Sequence, residues 1–231
     1  MARCASDADF TFQPARKSMR IGLFGGSFNP IHFGHLRAAE EDREALGLDL
    51  LYFIPAASPP HKPEGGLAPA EHRLRMVQLA TKGNRYFMVS DVETKRSGLS
   101  YTIDTVKYFL ATMRGNPELH LIMGSDQFAE FETWKDCDEL ARRCNIVVHT
   151  RLQEGESGAP RVSLAGISRF GYIKQDDHYV HSSAHTLSFV STTFLPISAT
   201  SIRRKAAAHE SIRYLLPLDV SDYIQRHALY C

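Results

Sequence analysis

Cysteine is scarce in this chain. Cys4, Cys137, Cys144 and Cys231 are the four in 231 residues, and no two form a C-x-x-C pair. That excludes a disulfide framework and a structural zinc site, and leaves reduced thiols of a cytoplasmic protein. No apolar run approaches the length of a membrane span, so no membrane partner is expected. Charge of either sign is not in excess: 27 Lys and Arg stand against 26 Asp and Glu, which excludes bulk nucleic-acid binding. No Gly-Lys-Ser/Thr follows a glycine loop and no G-x-G-x-x-G occurs, which excludes a Walker A and the redox dinucleotide fingerprint. Neither a paired-carboxylate nor a Ser/His/Asp constellation stands out. Residues 1–19 lack the apolar core of a secretory signal and read as a disordered tail.

What is present is concentrated in residues 21–36. The apolar run Ile21-Gly22-Leu23-Phe24 has strand length, breaks at Gly25, Gly26 and Pro30, and gives way to a helical pattern lasting to Gly47. A strand, a tight loop and a helix start point backbone N–H groups and the positive end of a helix dipole at one spot. An anion can sit there. Gly25 and Gly26 let the backbone approach it, and the rings of His32 and His35 can each donate an N–H to a phosphate oxygen.

Further strands follow at Leu50–Ile54, Tyr86–Val92, Leu119–Gly124 and Asn145–Thr150, separated by helical patterns such as Pro69–Lys82 and Ile103–Met113. On Pro69–Lys82, Glu71, Arg73 and Lys82 lie away from the apolar side. Strands alternating with helices predict an α/β, Rossmann-like, doubly wound parallel sheet of about five strands with a C-terminal helical segment. We expect one domain over 20–231, with a solvated insertion at about 152–186. Its three histidines and two aspartates, within Asp176–His185, match no metal motif.

Polar residues gather at the strands' carboxyl ends, where open α/β sheets bind ligands. Lys62 is a solvated loop lysine or an anion contact. Ser100 and Thr102 are natural N-cap types before a helix. Asp126 can cap a helix or accept hydrogen bonds from a ribose, and Trp134, the one tryptophan, can be core or offer a stacking face. Near the end, Ser198, Thr200 and Ser201 lead into a helix with Arg203 and Arg204 in its first turn. Positive charge there opposes the dipole unless an anion neutralises it.

The segment Gly26-Ser27-Phe28-Asn29-Pro30-Ile31-His32-Phe33-Gly34-His35 resembles the G-x-F-x-P-x-H-x-G-H signature of the nucleotidylyltransferase superfamily. Ile197-Ser198-Ala199-Thr200-Ser201-Ile202-Arg203 resembles its I-S-x-T-x-x-R signature, although Ala199 stands where many bacterial members have a second Ser. Pro59-Pro60-His61-Lys62, Ser100-Tyr101-Thr102, Gly124-Ser125-Asp126, Trp134-Lys135 and Tyr214-Leu215-Leu216-Pro217 are similar to the bacterial nicotinate-nucleotide adenylyltransferase family.

The resemblance implies adenylyl transfer from ATP to nicotinate mononucleotide, in NAD biosynthesis. It implies that Gly25, Gly26, Ser27, Phe28, His32 and His35 hold ATP. Ser198, Thr200 and Arg203 would take its β- and γ-phosphates, with His32, His35 and Arg203 catalytic. Lys62, Ser100, Tyr101, Thr102, Asp126 and Trp134 would bind the mononucleotide. In that reading backbone amides at Tyr101 and Thr102 meet the nicotinate carboxylate, Trp134 stacks on the pyridine ring, and Asp126 binds a ribose. Mg2+ would come with ATP, held by its phosphates rather than by protein ligands. A homo-oligomer is left open. The alternatives are adenylyl transfer to nicotinamide mononucleotide or phosphopantetheine, and a non-catalytic nucleotide-binding module.

Overall fold

The computed structural model describes residues 18–60, 66–152 and 164–231. Strand β1 (Arg20–Gly26) runs into helix α1 (Phe33–Leu46), which ends at Gly47. Gly47 adopts φ 57°, a left-handed conformation that costs glycine nothing, and the N–H groups of Gly47 and Leu48 close the helix on the carbonyls of Glu44 and Arg43. Then come β2 (Leu50–Pro55), α2 (Ala70–Thr81), β3 (Phe87–Val89), α3 (Val92–Lys95) and α4 (Thr102–Thr112). They are followed by β4 (Glu118–Gly124), α5 (Ser125–Ala129), a 3-10 turn (Phe131–Thr133), α6 (Cys137–Arg143) and β5 (Asn145–Leu152). The chain closes with α7 (Leu164–Arg169), β6 (Tyr172–Gln175), β7 (His178–His181), β8 (Thr186–Thr193), α8 (Ala199–Ala207) and α9 (Leu218–Arg226).

Among the described residues eight strands form one sheet, ordered β3-β2-β1-β4-β5-β8-β7-β6. The five expected strands are there and run parallel, although the third is shorter than expected and α3 takes up its end. Three more extend the sheet. β8 adds a sixth parallel strand beside β5, and β6 and β7 form an antiparallel hairpin on it. The segment read as a solvated insertion therefore contributes sheet edge. Its turn is Asp176-Asp177, with Asp176 at φ 48°, as a two-residue hairpin requires.

Side chains alternate across the sheet. Ile21, Leu23, Leu121 and Met123 pack on one face with Ile103, Val106 and Phe109 of α4. Phe24, Phe53 and Ile122 pack on the other with Met76 and Val77 of α2 and with Ile202, Val220 and Ile224 of the C-terminal helices. No helix among the described residues is long and apolar enough to cross a membrane. β1 has β2 on one side and β4 on the other, so the crossovers diverge there and open a crevice beyond the carboxyl ends of β1 and β4.

Candidate active site

A cleft of about 500 Å³ occupies that crevice. Its floor is the end of β1. A Cβ at Gly25 would meet no protein atom within 4 Å, so that backbone faces open space; one at Gly26 would press on the Phe28 ring at 3.0 Å. The two glycines thus differ: one faces open space, the other a neighbouring ring. Phe28 itself turns the loop at φ 43° and is buried.

His32 is the N-cap residue of α1, and its backbone N–H reaches Nδ1 of His35 at 3.3 Å. The two rings lie 3.8 Å apart between centroids, and His35 stands edge-on to Phe28 at 5.3 Å. Gly34 makes room for this pairing, since a Cβ there would lie 3.0 Å from the His32 ring. Both imidazoles line the cleft.

The second segment meets the first. Ser198 is the N-cap of α8, its hydroxyl accepting the Ser201 N–H at 3.1 Å, and it lines the cleft with Ile197 and Ala199. Thr200 and Arg203 sit beside that wall rather than in it. Arg203 Nη1 donates to the Asn29 carbonyl at 2.8 Å, and Nη2 to the Thr200 hydroxyl at 3.2 Å. Arg203 and Arg204 lie past the first turn of α8, so the expected clash with the positive end of the dipole does not arise. Arg203 instead ties the two signature segments together.

The far wall carries the expected mononucleotide residues. Tyr101 is the N-cap of α4 and Thr102 its first residue, which turns free helix-start N–H groups toward the cleft. Ser100 does not cap that helix. Its hydroxyl accepts the N–H groups of Ala57 and Ser58, at 3.0 and 3.2 Å, and so fixes the loop after β2. Buried Glu93 accepts the Thr105 hydroxyl at 2.7 Å; burial raises its carboxyl above the usual range, against the hydrogen bonds from Thr105 and Ser100. Trp134 is half-buried, leaning on Phe131 at 5.7 Å, and Asp126 stands exposed in the first turn of α5; both line the cleft. Lys62 lies outside the described residues.

Sequence reasoning missed three groups. Arg73, expected on the polar side of α2, is 1% exposed. Its guanidinium donates to the carbonyls of Ser27, Ala56, Ala57 and Ala68, binding three loops into one rim. Asn29 does similar work: its amide donates to the Gly66 carbonyl, and its oxygen accepts the Ala68 N–H and the Tyr230 hydroxyl. The third group is His149, in the carboxyl half of β5, level with the end of β4 and in the wall of the cleft. A lone titratable residue at the carboxyl end of an apolar strand was the signal that could have found it.

Residues 23–205 match the model of the cytidylyltransferase-like family. A probable nicotinate-nucleotide adenylyltransferase of Trichlorobacter lovleyi is 42% identical over 213 residues, spanning 92% of this chain and 99% of that protein. One from Geobacter metallireducens is 43% identical over 213 residues, spanning 92% and 98%. The fold is also that of Plasmodium falciparum nicotinic acid mononucleotide adenylyltransferase complexed with NaAD. That structure aligns with a TM-score of 0.67 at 16% identity, over 92% of this chain and 97% of that one.

Proposed function

The chain belongs to the cytidylyltransferase-like family, among its nicotinate-nucleotide adenylyltransferases, and on that premise we propose how its cleft works. The enzyme transfers the adenylyl group of ATP to nicotinate mononucleotide, forming deamido-NAD and pyrophosphate. The observation that carries this reading is the meeting of two sequence-distant segments at one cleft, His32–His35 and Ile197–Ala199, the second tied to the first by Arg203, with the α4 start and Trp134 lining the same cleft.

The nucleophile is the 5′-phosphate of the mononucleotide. Its second pKa is about 6, so it is largely ionised at neutral pH and needs no general base. Catalysis then rests on alignment of the two phosphates and on stabilising charge that builds on the leaving pyrophosphate. His32 and His35 donate ring N–H groups to ATP phosphate oxygens at the start of α1. Ser198, Thr200 and Arg203 receive the β- and γ-phosphates at the start of α8, which adds its own positive dipole end. Gly25 leaves the backbone open to close approach.

The N–H groups at Tyr101 and Thr102 donate to the nicotinate carboxylate, a charged acceptor that an amide would not replace. Trp134 stacks on the pyridine ring, Asp126 accepts from a ribose hydroxyl, and Lys62 contributes a cation. Mg2+ enters with ATP. Its ligands would be supplied by the triphosphate and water. Cys137, Cys144 and Cys231 are free thiols, which supports a reducing, cytoplasmic compartment.

The test offers ATP with each mononucleotide in turn and measures pyrophosphate release. Release driven by nicotinate mononucleotide, with deamido-NAD as the second product, is the expected result. Equal release with nicotinamide mononucleotide, or none with either, contradicts the reading.

A further inference from the structure

Asp42 lies in the middle of α1 and is 0% exposed. An apolar residue there would pack against β5 without desolvating a carboxylate, and removing such a buried polar pair in favour of hydrocarbon is often stabilising. The carboxylate meets His149 Nδ1 at 3.3 Å through Oδ2, while Oδ1 is buried with no hydrogen-bond partner among the described residues. Burial raises the Asp42 carboxyl above its usual range; the His149 contact opposes that shift.

The ring of His149 is held from a second side. Phe24 stands edge-on to it, with centroids 5.6 Å apart and planes at 87°. With Nδ1–H donated to Asp42, the other ring nitrogen keeps its lone pair. That Nε2 faces the gap beside Gly124, the register partner of His149. A Cβ at Gly124 would lie 3.4 Å from Nε2 and would strike the Asp126 carboxylate. Glycine at 124 thus lets the Asp126 carboxylate lie close to the strand end beside His149, and two acceptors, one anionic and one neutral, are neighbours in the wall of the cleft.

We propose that His149, oriented by Asp42, binds substrate together with Asp126, the two forming a clamp for the vicinal hydroxyls of a ribose. The inference rests on the functional reading above. Paired acceptors reject a phosphate, which carries no donors at neutral pH, and suit a group that offers two. A ribose 2′,3′-diol does so. Asp42 is a positioning residue: it touches no substrate and fixes the tautomer that accepts.

The experiment compares kcat/KM for ATP and for 2′,3′-dideoxy-ATP, and in a second arm for nicotinate mononucleotide and its 2′,3′-dideoxy analogue. The wild-type enzyme should lose about tenfold or more on one diol-less substrate, which names the ribose that is held. His149→Ala should lose about tenfold on the natural substrate and nothing further on the diol-less one. His149→Phe keeps a ring against Phe24 and lacks Nε2, so it should give the same loss of discrimination, and it decides the matter if His149→Ala does not fold. His149→Gln, with an amide near the Nε2 position, should recover part of it. Equal losses on natural and diol-less substrates overturn the clamp and leave His149 a structural residue. So does a penalty that follows removal of the adenine amine, as in purine riboside triphosphate, instead of the diol. If the wild-type enzyme does not turn over ATP and nicotinate mononucleotide, it is the functional reading that fails. Calorimetric binding of ATP against dideoxy-ATP, and of nicotinate mononucleotide against its dideoxy analogue, in wild type and His149→Phe, then still decides the clamp.

Discussion

Trp134 meets Phe131 with the rings tilted at 53° and also lines the cleft, so the same indole belongs to the core edge and to the site. Stacking an aromatic ligand on such a face contributes roughly 1–3 kcal/mol and has little bearing on bond breaking. Trp134→Ala should therefore raise KM for the mononucleotide by about tenfold, with kcat little changed, in steady-state assays at saturating ATP. An unchanged KM rules out stacking. The residues legible in the sequence are those whose partners are close in the chain. His32 and His35 share one helix start, and Ser198 caps its own helix, so spacing alone brings them together. Asp42 and His149 are 107 positions apart, and no local pattern reports that contact.

Among the elements, α2 carries the least expected load. Among the described residues no carboxylate pairs with buried Arg73, and its fork is satisfied by carbonyls from the loop after β1, the end of β2 and the approach to α2 itself. Burial lowers its pKa, and the carbonyl dipoles replace the water it gave up. Arg73→Met should leave several carbonyls without a donor and cost at least about 2 kcal/mol in denaturant unfolding. Arg73→Lys keeps the charge but not the planar fork, and should restore only part of the loss. A methionine variant as stable as wild type would show that the rim does not depend on this side chain. Helical periodicity could not reveal Arg73, because a buried arginine obeys the same spacing as an exposed one. The hairpin of β6 and β7 was hidden for a different reason. Tyr172–Gln175 is an edge strand of the sheet and His178–His181 lies just inside it; each has four residues, and only Tyr172 and His181 are buried. Edge strands carry little of the apolar signal that made β1, β4 and β5 readable.

At the scale of the whole molecule, sheet order decides where chemistry can happen. The divergence of crossovers at β1 and β4 opens the crevice, and the loops after β1, β2 and β4 all empty into it. The C-terminal segment packs on the α1 face through Ile202, Val220 and Ile224, which brings the start of α8 back to the start of α1. The two helix starts then border one space, and the Arg203 to Asn29 hydrogen bond holds them in register. The measurement that tests this most directly is turnover by His35→Ala with saturating ATP and nicotinate mononucleotide, on protein shown by circular dichroism to be folded. With one donor to the developing pyrophosphate charge removed, kcat should fall by about 100-fold or more. Turnover near the wild-type rate in a folded His35→Ala enzyme would contradict the account.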